Sequence, residues 1–198
     1  MLVEQGAVPL AALPVEAFRA HLRMGTGFAE DGVQDGLLES HLRAAMAAIE
    51  GRIGKVLLAR RFLWELAGWR GAGAQALPVA PVLTVVEVAL VDAAGQRTVL
   101  PAALWRLRRD AHRPCLEPVG LSLPPVPLGG RAEVVLDAGF SASWGGVPPD
   151  LAQAVLLLAA EFYETRHDGG DVTGGLPAMV QALVARWRTV RVLGGGQA

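Results

Sequence analysis

Apolar residues recur at three- and four-residue steps near both ends of the chain and lose that period in the middle. From about Gly36 to Leu58, Leu38, Leu42, Met46, Ile49, Ile53 and Val56 fall on one stripe, which predicts a long helix capped by Asp35. Gly51 and Gly54 weaken its later turns, so a bend or break is expected there. A shorter helix is predicted from Pro14 to Met24, with Val15, Phe18 and Leu22 on one face. A third runs over 149–166. Pro148 and Pro149 suit its first turn, Asp150 complements the positive end of the dipole, and His167-Asp-Gly-Gly170 ends it. A fourth, at about 178–192, carries Met179, Val180, Leu183, Val184, Trp187 and Val190, before a flexible glycine-rich tail.

The third helix is unusual. Gln153, Glu161 and Glu164 fall within an arc of roughly 80° at 100° per residue. Most of the remainder is apolar, including Leu151, Val155, Leu156, Leu158, Phe162 and Tyr163. A helix apolar almost all round is buried on most sides. A membrane span needs ~20 apolar residues, and Glu161 interrupts this run well before that. The cover must be protein, either this chain or a neighbouring copy.

Between Leu77 and Phe140, prolines, β-branched runs and turn signals replace the helical period. VLTVVEVALVD, Ala94-Gly95 and QRTVL read as a β-hairpin. LWRLRRD and RAEVVLDAGF are further strands, separated by the proline-rich LEPVGLSLPPVPLGG. The fold class is therefore α+β: a helical bundle built from N- and C-terminal helices, with a small antiparallel β unit inserted. Residues 1–68 form the first helical part, 77–146 the β unit, and 147–198 the remaining helices and tail.

Composition sharpens this picture. A chain of 198 residues fits one domain with an insertion. Its hydrophobic content of 52% and mean hydropathy of +0.36 point to large subunit interfaces. The first ten residues are acidic and lack a basic stretch before an apolar one, so no secretion signal is expected. One cysteine, Cys115, excludes an internal disulfide framework and is compatible with a cytoplasmic origin. A net charge of −1 argues against a dedicated nucleic-acid binder. The balance is uneven, however: residues 1–50 hold seven acids and three bases, whereas Arg186, Arg188 and Arg191 follow the last acid, Asp171. These charges read either as solvated helix ends or as a surface for an acidic partner.

No group of residues assembles a catalytic site, a metal site or a cofactor site. Gly71-Ala-Gly-Ala-Gln-Ala76 matches a dinucleotide fingerprint by letter, but Pro78 and Pro81 leave no helix to follow it. Glu164 and His167 have the spacing of a di-iron helix without the second such step that site requires. His167-Asp-Gly-Gly-Asp171 lacks the spaced calcium-loop pattern. Cys115 has no adjacent His, and Gly139-Phe-Ser-Ala-Ser143 misses the last glycine of a nucleophile elbow. A Gly-Gly-Gln near the C-terminus sits in a low-complexity tail and carries almost no weight. No enzyme and no cofactor is expected.

The order LPVEAFRAHLRM, DGLLESHLRAAMAAIEGRIGKVLL, LPVAPVLTVVEV, VPPDLAQAVLLLAAEFYETR and GLPAMVQALVARWR resembles the phage head–tail connector (adaptor) family from about Pro14 to Arg191. The more specific parts are Ile49-Glu50 followed by Gly54, the Pro-x-Asp-Leu-x-x-Ala start, and the aromatic-Tyr-Glu-x-Arg helix end. The style is similar to the gene transfer agent version. The resemblance implies a structural protein of a virion or phage-like particle, assembled in the host cytoplasm. Its copies would form a ring, expected to be twelvefold, between the portal and a stopper or tail-completion protein. Double-stranded DNA would pass through without specific binding, and no membrane is involved. The resemblance also implies that the C-terminal segment reaches the portal, with Trp187, Arg188, Arg191 and Leu193 at the contact and Trp187 shared with the core. A frayed bundle helix is the plainer reading of that segment. A homo-oligomeric helical binding module with an apolar ligand pocket is the alternative function.

Overall fold

The computed structural model describes residues 1–24, 32–71, 73–165 and 175–188, and the side chains of Gly32 and Val33 are outside that description. In chain order the elements are β1 (Leu2–Glu4), α1 (Val15–His21), α2 (Gly32–Ile53), β2 (Arg60–Leu66), β3 (Gln75–Ala76), β4 (Val82–Val91), β5 (Arg97–Val99), β6 (Trp105–Arg108), β7 (Cys115–Pro118), β8 (Arg131–Ala138), α3 (Pro149–Thr165) and α4 (Ala178–Val184). The α+β class holds, but the protein is richer in β-structure than the expected bundle with a small insertion.

The helices gather on α3. Helices α1, α2 and α4 all pack against it, and its Leu151, Ala154, Val155, Leu158 and Ala159 are buried with Phe18, Leu38, Leu42, Ile49, Ile53, Val180 and Val184. Fully burying one such aliphatic side chain stabilises the fold by about 1.5–3 kcal/mol. The cover expected over α3 is supplied only in part by this chain. Leu156, Phe162 and Tyr163 are half-buried, as are Ala152, Leu157 and Ala160, so one flank is only partly covered. Among the described residues, no helix is long and apolar enough to cross a membrane.

The β-structure forms two antiparallel sheets. One has five strands in the order β1-β2-β8-β4-β5, and the other has three in the order β3-β7-β6. Strand alternation sends Phe62, Trp64 and Leu66 of β2 and Ala132, Val134 and Leu136 of β8 to one face. There they meet Val85 and Val88, with Leu116, Trp105 and Leu107 from the second sheet, in a separate core. The opposite face carries charge. Arg61 pairs with Asp137 at 2.8 Å, and Glu133 takes Arg97 at 2.9 Å and Arg131 at 2.7 Å. The Arg97 hydrogen bond, with that of Arg131, holds the Glu133 carboxyl below its ordinary range despite its burial.

Several sequence expectations shift. Helix α2 starts at Gly32, so Asp35 lies in its first turn rather than at its cap. It stops at Ile53 rather than Leu58, because Gly54 turns the chain with φ +66°. Residues 60–66 are not helical but form β2, in the middle of the larger sheet. Cys115–Pro118 forms a strand that runs into the proline-rich spacer, and Gln75–Ala76 forms another at the end of the glycine-alanine stretch. Helix α4 is shorter than expected: a 3-10 turn, Ala185–Trp187, follows Val184, and residues 189–192 lie outside the described residues. Met179, expected on its buried stripe, is 65% exposed.

The joint between the two cores is residues 55–59. Val56 donates to the carbonyl of Ala80 at 2.9 Å, Ala59 donates to Ser141 at 2.8 Å, and Phe140 donates to Leu57 at 3.1 Å. Val56 enters the β core, while Leu57 and Leu58 enter the helical one. Gly139 makes this crossing possible: its φ is +142°, and an added Cβ would lie 2.5 Å from the Ala59 backbone. Gly139→Ala is therefore expected to cost about 2–4 kcal/mol, by backbone strain and by forcing the strands apart. Denaturant melts of the two proteins check this, and equal midpoints would refute it.

Candidate interaction surface at the C-terminal corner

Asp150 occupies the first turn of α3 because Pro148 and Pro149 start the helix just before it. Its carboxylate faces the C-terminal residues. Oδ2 accepts from Arg186 Nε and from Trp187 Nε1, both at 2.7 Å. Burial alone pushes the Asp150 carboxyl up, but the hydrogen bonds from Trp187 and Arg186 outweigh it and hold it below its ordinary value. The indole of Trp187 meets Phe140 edge-on at 5.2 Å and stacks near His112 at 6.5 Å between centroids. Arg186 lies over the same ring at 4.8 Å.

The His112 carbonyl in turn accepts from Lys55 Nζ at 3.4 Å. Lys55 is only 1% exposed; burial pulls its ammonium below the ordinary value, and Asp110 opposes that shift. Asp110 also closes its own turn, accepting from the His112 and Arg113 amides at 2.7 Å. Three distant stretches thus meet at one corner: the end of α2, the 109–113 loop, and residues 186–188. Arg109, Arg113 and Arg188 are exposed there. Arg109 donates to the Leu83 carbonyl at 3.0 Å, and among the described residues no carboxylate pairs with any of the three.

A second tie joins α2 to the larger sheet. Glu50 accepts the Leu57 amide at 2.7 Å and both terminal nitrogens of Arg60, at 3.1 and 2.7 Å. Arg60 Nε lies 2.8 Å from Glu4 on β1. The Ile49-Glu50…Gly54 pattern is therefore a structural clasp: the glycine turns the chain back and the glutamate receives it. Tyr163, in the aromatic-Tyr-Glu pattern, meets His41 edge-on at 5.9 Å and links α3 to α2.

Of the residues assigned from sequence to the portal contact, Trp187 is half-buried in its seat and Arg188 is exposed. Arg191 and Leu193 lie outside the described residues, as does His167, the partner of Glu164 in the di-iron spacing. Among the described residues no group of three His, Cys, Asp or Glu is placed to hold a metal. A groove of about 320 Å³ runs between Leu10–Ala17 and Asp35, and another of about 150 Å³ lies beside Glu50 and Arg60. Neither is lined by α3. The apolar pocket beside α3 that a ligand-binding module needs has no support from them. Sequence reasoning missed the Asp150 seat, the Glu50–Arg60 clasp and buried Lys55; only the Pro-Pro-Asp start and the Glu-x-x-x-Gly step hinted at the first two.

The seat gives a testable acid response. A carboxylate held low by folding contributes stability above its unfolded pKa, and that contribution fades as pH falls through the folded value. Asp150→Ala should cost about 1.5–3 kcal/mol at neutral pH, the range for hydrogen bonds to a charged group. The gap between parent and variant should narrow as pH falls below ~4. Paired denaturant melts at neutral and acid pH measure both; a gap independent of pH would contradict the assignment.

No protein-family model matches the chain, and no curated protein does. Solved structures do. The chain is 57% identical to one in the neck of an empty GTA particle computed with C6 symmetry, with 98% of each chain covered and a TM-score of 0.89. It is 56% identical to one in the virion of a native gene transfer agent particle, with 98% of each covered and a TM-score of 0.86. It is 53% identical to one in the neck of a native GTA particle computed with C12 symmetry, again with 98% of each covered and a TM-score of 0.84. These relatives are structural parts of a particle, not enzymes, and the likeness spans nearly the whole length of the chain. The chain belongs to the head–tail connector (adaptor) family, in its gene transfer agent version.

Proposed function

We propose that the chain forms a ring of twelve copies between the portal and a stopper or tail-completion protein, extending the DNA channel of a gene transfer agent particle. The observation that carries this reading is the 53% identity, over 98% of both chains, to a chain in a neck computed with twelvefold symmetry. A ring requires each copy to offer two different faces, a heterologous contact that closes. The half-covered flank of α3, with Leu156, Phe162 and Tyr163, is apolar surface that such packing would bury. A net charge of −1 suits a channel through which DNA slides, because each neutralised phosphate adds affinity and slows passage.

The C-terminal segment is the arm toward the portal. Trp187, pinned by Asp150, fixes where the arm leaves the body, and Arg188, Arg191 and Leu193 make the contact. Arginine is a common interface anchor because one side chain makes several directed bonds. Removing the chain from particle-producing cells should leave filled heads without tails, and supplying it again should restore them. Tailed, transfer-competent particles formed in its absence would contradict the proposal.

A further inference from the structure

The corner around the 109–113 loop holds more positive charge than the fold uses. Arg109 and Arg113 are exposed with no carboxylate partner among the described residues, and in sequence they bracket His112, which stacks near Trp187. Arg106 and Arg108 nearby share one acid, Glu117. Surface free to contact passing DNA should not concentrate unpaired arginine, because that would hold the phosphates. Arginine beside exposed aromatic surface is instead the usual composition of a protein contact.

The complementary charge is on the same chain. Asp150 marks the basic corner at the start of α3, and Glu164 lies about 21 Å further along the helix at 1.5 Å per residue. Glu161 and Glu164 are both exposed and have no cation partner among the described residues. On α1, which packs on α3, the Glu16 side chain is 90% exposed; its one cation among the described residues, Arg19 at 3.9 Å, is shared with Asp35. Among the described residues, arginines without a carboxylate partner therefore lie toward one end of α3 and glutamates without a cation partner toward the other. Two unlike, complementary patches on opposite ends are what a head-to-tail contact requires.

We infer that Arg109 and Arg113 of one copy dock on the acidic end of the next, Glu161 and Glu164, as the charged part of the contact between copies. The inference rests on the ring proposed above and names the chemistry of its interface. The patches steer each arriving copy into a single orientation, since a reversed copy would set like charges together.

The test is a charge exchange in assembling particles, read as copies of the chain per purified neck by quantitative mass spectrometry. Arg109→Glu with Arg113→Glu, and separately Glu161→Arg with Glu164→Arg, should each melt like the parent and lower neck occupancy about tenfold. Combining all four substitutions should restore it. If a reversal unfolds the protein, the neutral variants Arg109→Gln with Arg113→Gln, and Glu161→Gln with Glu164→Gln, should each lower occupancy about threefold. Normal occupancy in either double variant overturns the inference. So does failure of the fourfold exchange to restore assembly, which would assign the corner to the portal or to DNA. Absence of the unaltered chain from necks would instead defeat the ring proposal itself.

Discussion

Leu158→Asp is expected to leave no folded protein. Leu158 is 2% exposed and lies on the face of α3 that α2 and α4 cover. The substitution deletes a buried aliphatic side chain and places a carboxylate where nothing pairs with it. Burying an unpaired charge costs several kcal/mol, and the lost packing adds about 2–5 kcal/mol. Together they match the whole stability of a typical domain, about 5–15 kcal/mol. Leu156→Asp is the informative contrast. Leu156 is only half-buried, so its carboxylate can reach water and the fold should survive, while the flank it leaves charged should no longer pack against another copy. Circular dichroism melts and neck incorporation of both variants distinguish the two effects. A Leu158→Asp protein that melts like the parent would show that α3 is not the centre of the helical core.

Deleting residues 189–198 is expected to abolish joining of heads to tails while leaving a folded protein. The described residues of both cores and the Asp150–Trp187 seat all precede the deleted segment. The deletion removes Arg191 and Leu193, the outer half of the proposed portal contact. Binding lost through one arm recurs in every copy of a ring, so a modest loss per copy becomes a large loss of attachment. Counting tailed and tailless heads by electron microscopy measures it. Normal joining by the shortened chain would show that the C-terminal arm does not reach the portal.

What the sequence disclosed follows from which forces are local. Helix α3 was legible from Pro149 to Thr165 because its signals are within itself: Pro148 and Pro149, the acid at the start, and the apolar run from Ala154 to Ala160. The expected stop at 167–170 lies outside the described residues. The β4–β5 hairpin was equally plain, since a β-branched run leads into a turn closed by Asp92 and Gly95. Strand β2 was not. RRFLWEL follows a strong helix, and what makes it a strand is the ladder from Arg60↔Ala138 to Leu66↔Ala132, formed with residues about seventy positions away. Strand β7 was hidden for the same reason, as CLEP is short, carries a proline, and gains its identity only between β3 and β6.

The corner shows the same division. Trp187 and Arg188 could be singled out as an aromatic and a base in an acid-free segment. That Asp150 would receive Trp187, and that the 109–113 loop would stand beside it, depends on tertiary packing that no local pattern encodes. The resemblance to the adaptor family supplied function where the residues by themselves did not, because a ring protein needs complementary surfaces rather than a reactive constellation.

A structure of the neck in particles built with this chain, refined without imposed symmetry, decides whether its copies close a ring. Twelve copies are expected in one closed ring between portal and stopper, with Arg109 and Arg113 against the next copy's acidic end and the C-terminal arm on the portal. A neck in which the chain is absent, or present as isolated copies that touch no neighbour, would contradict it.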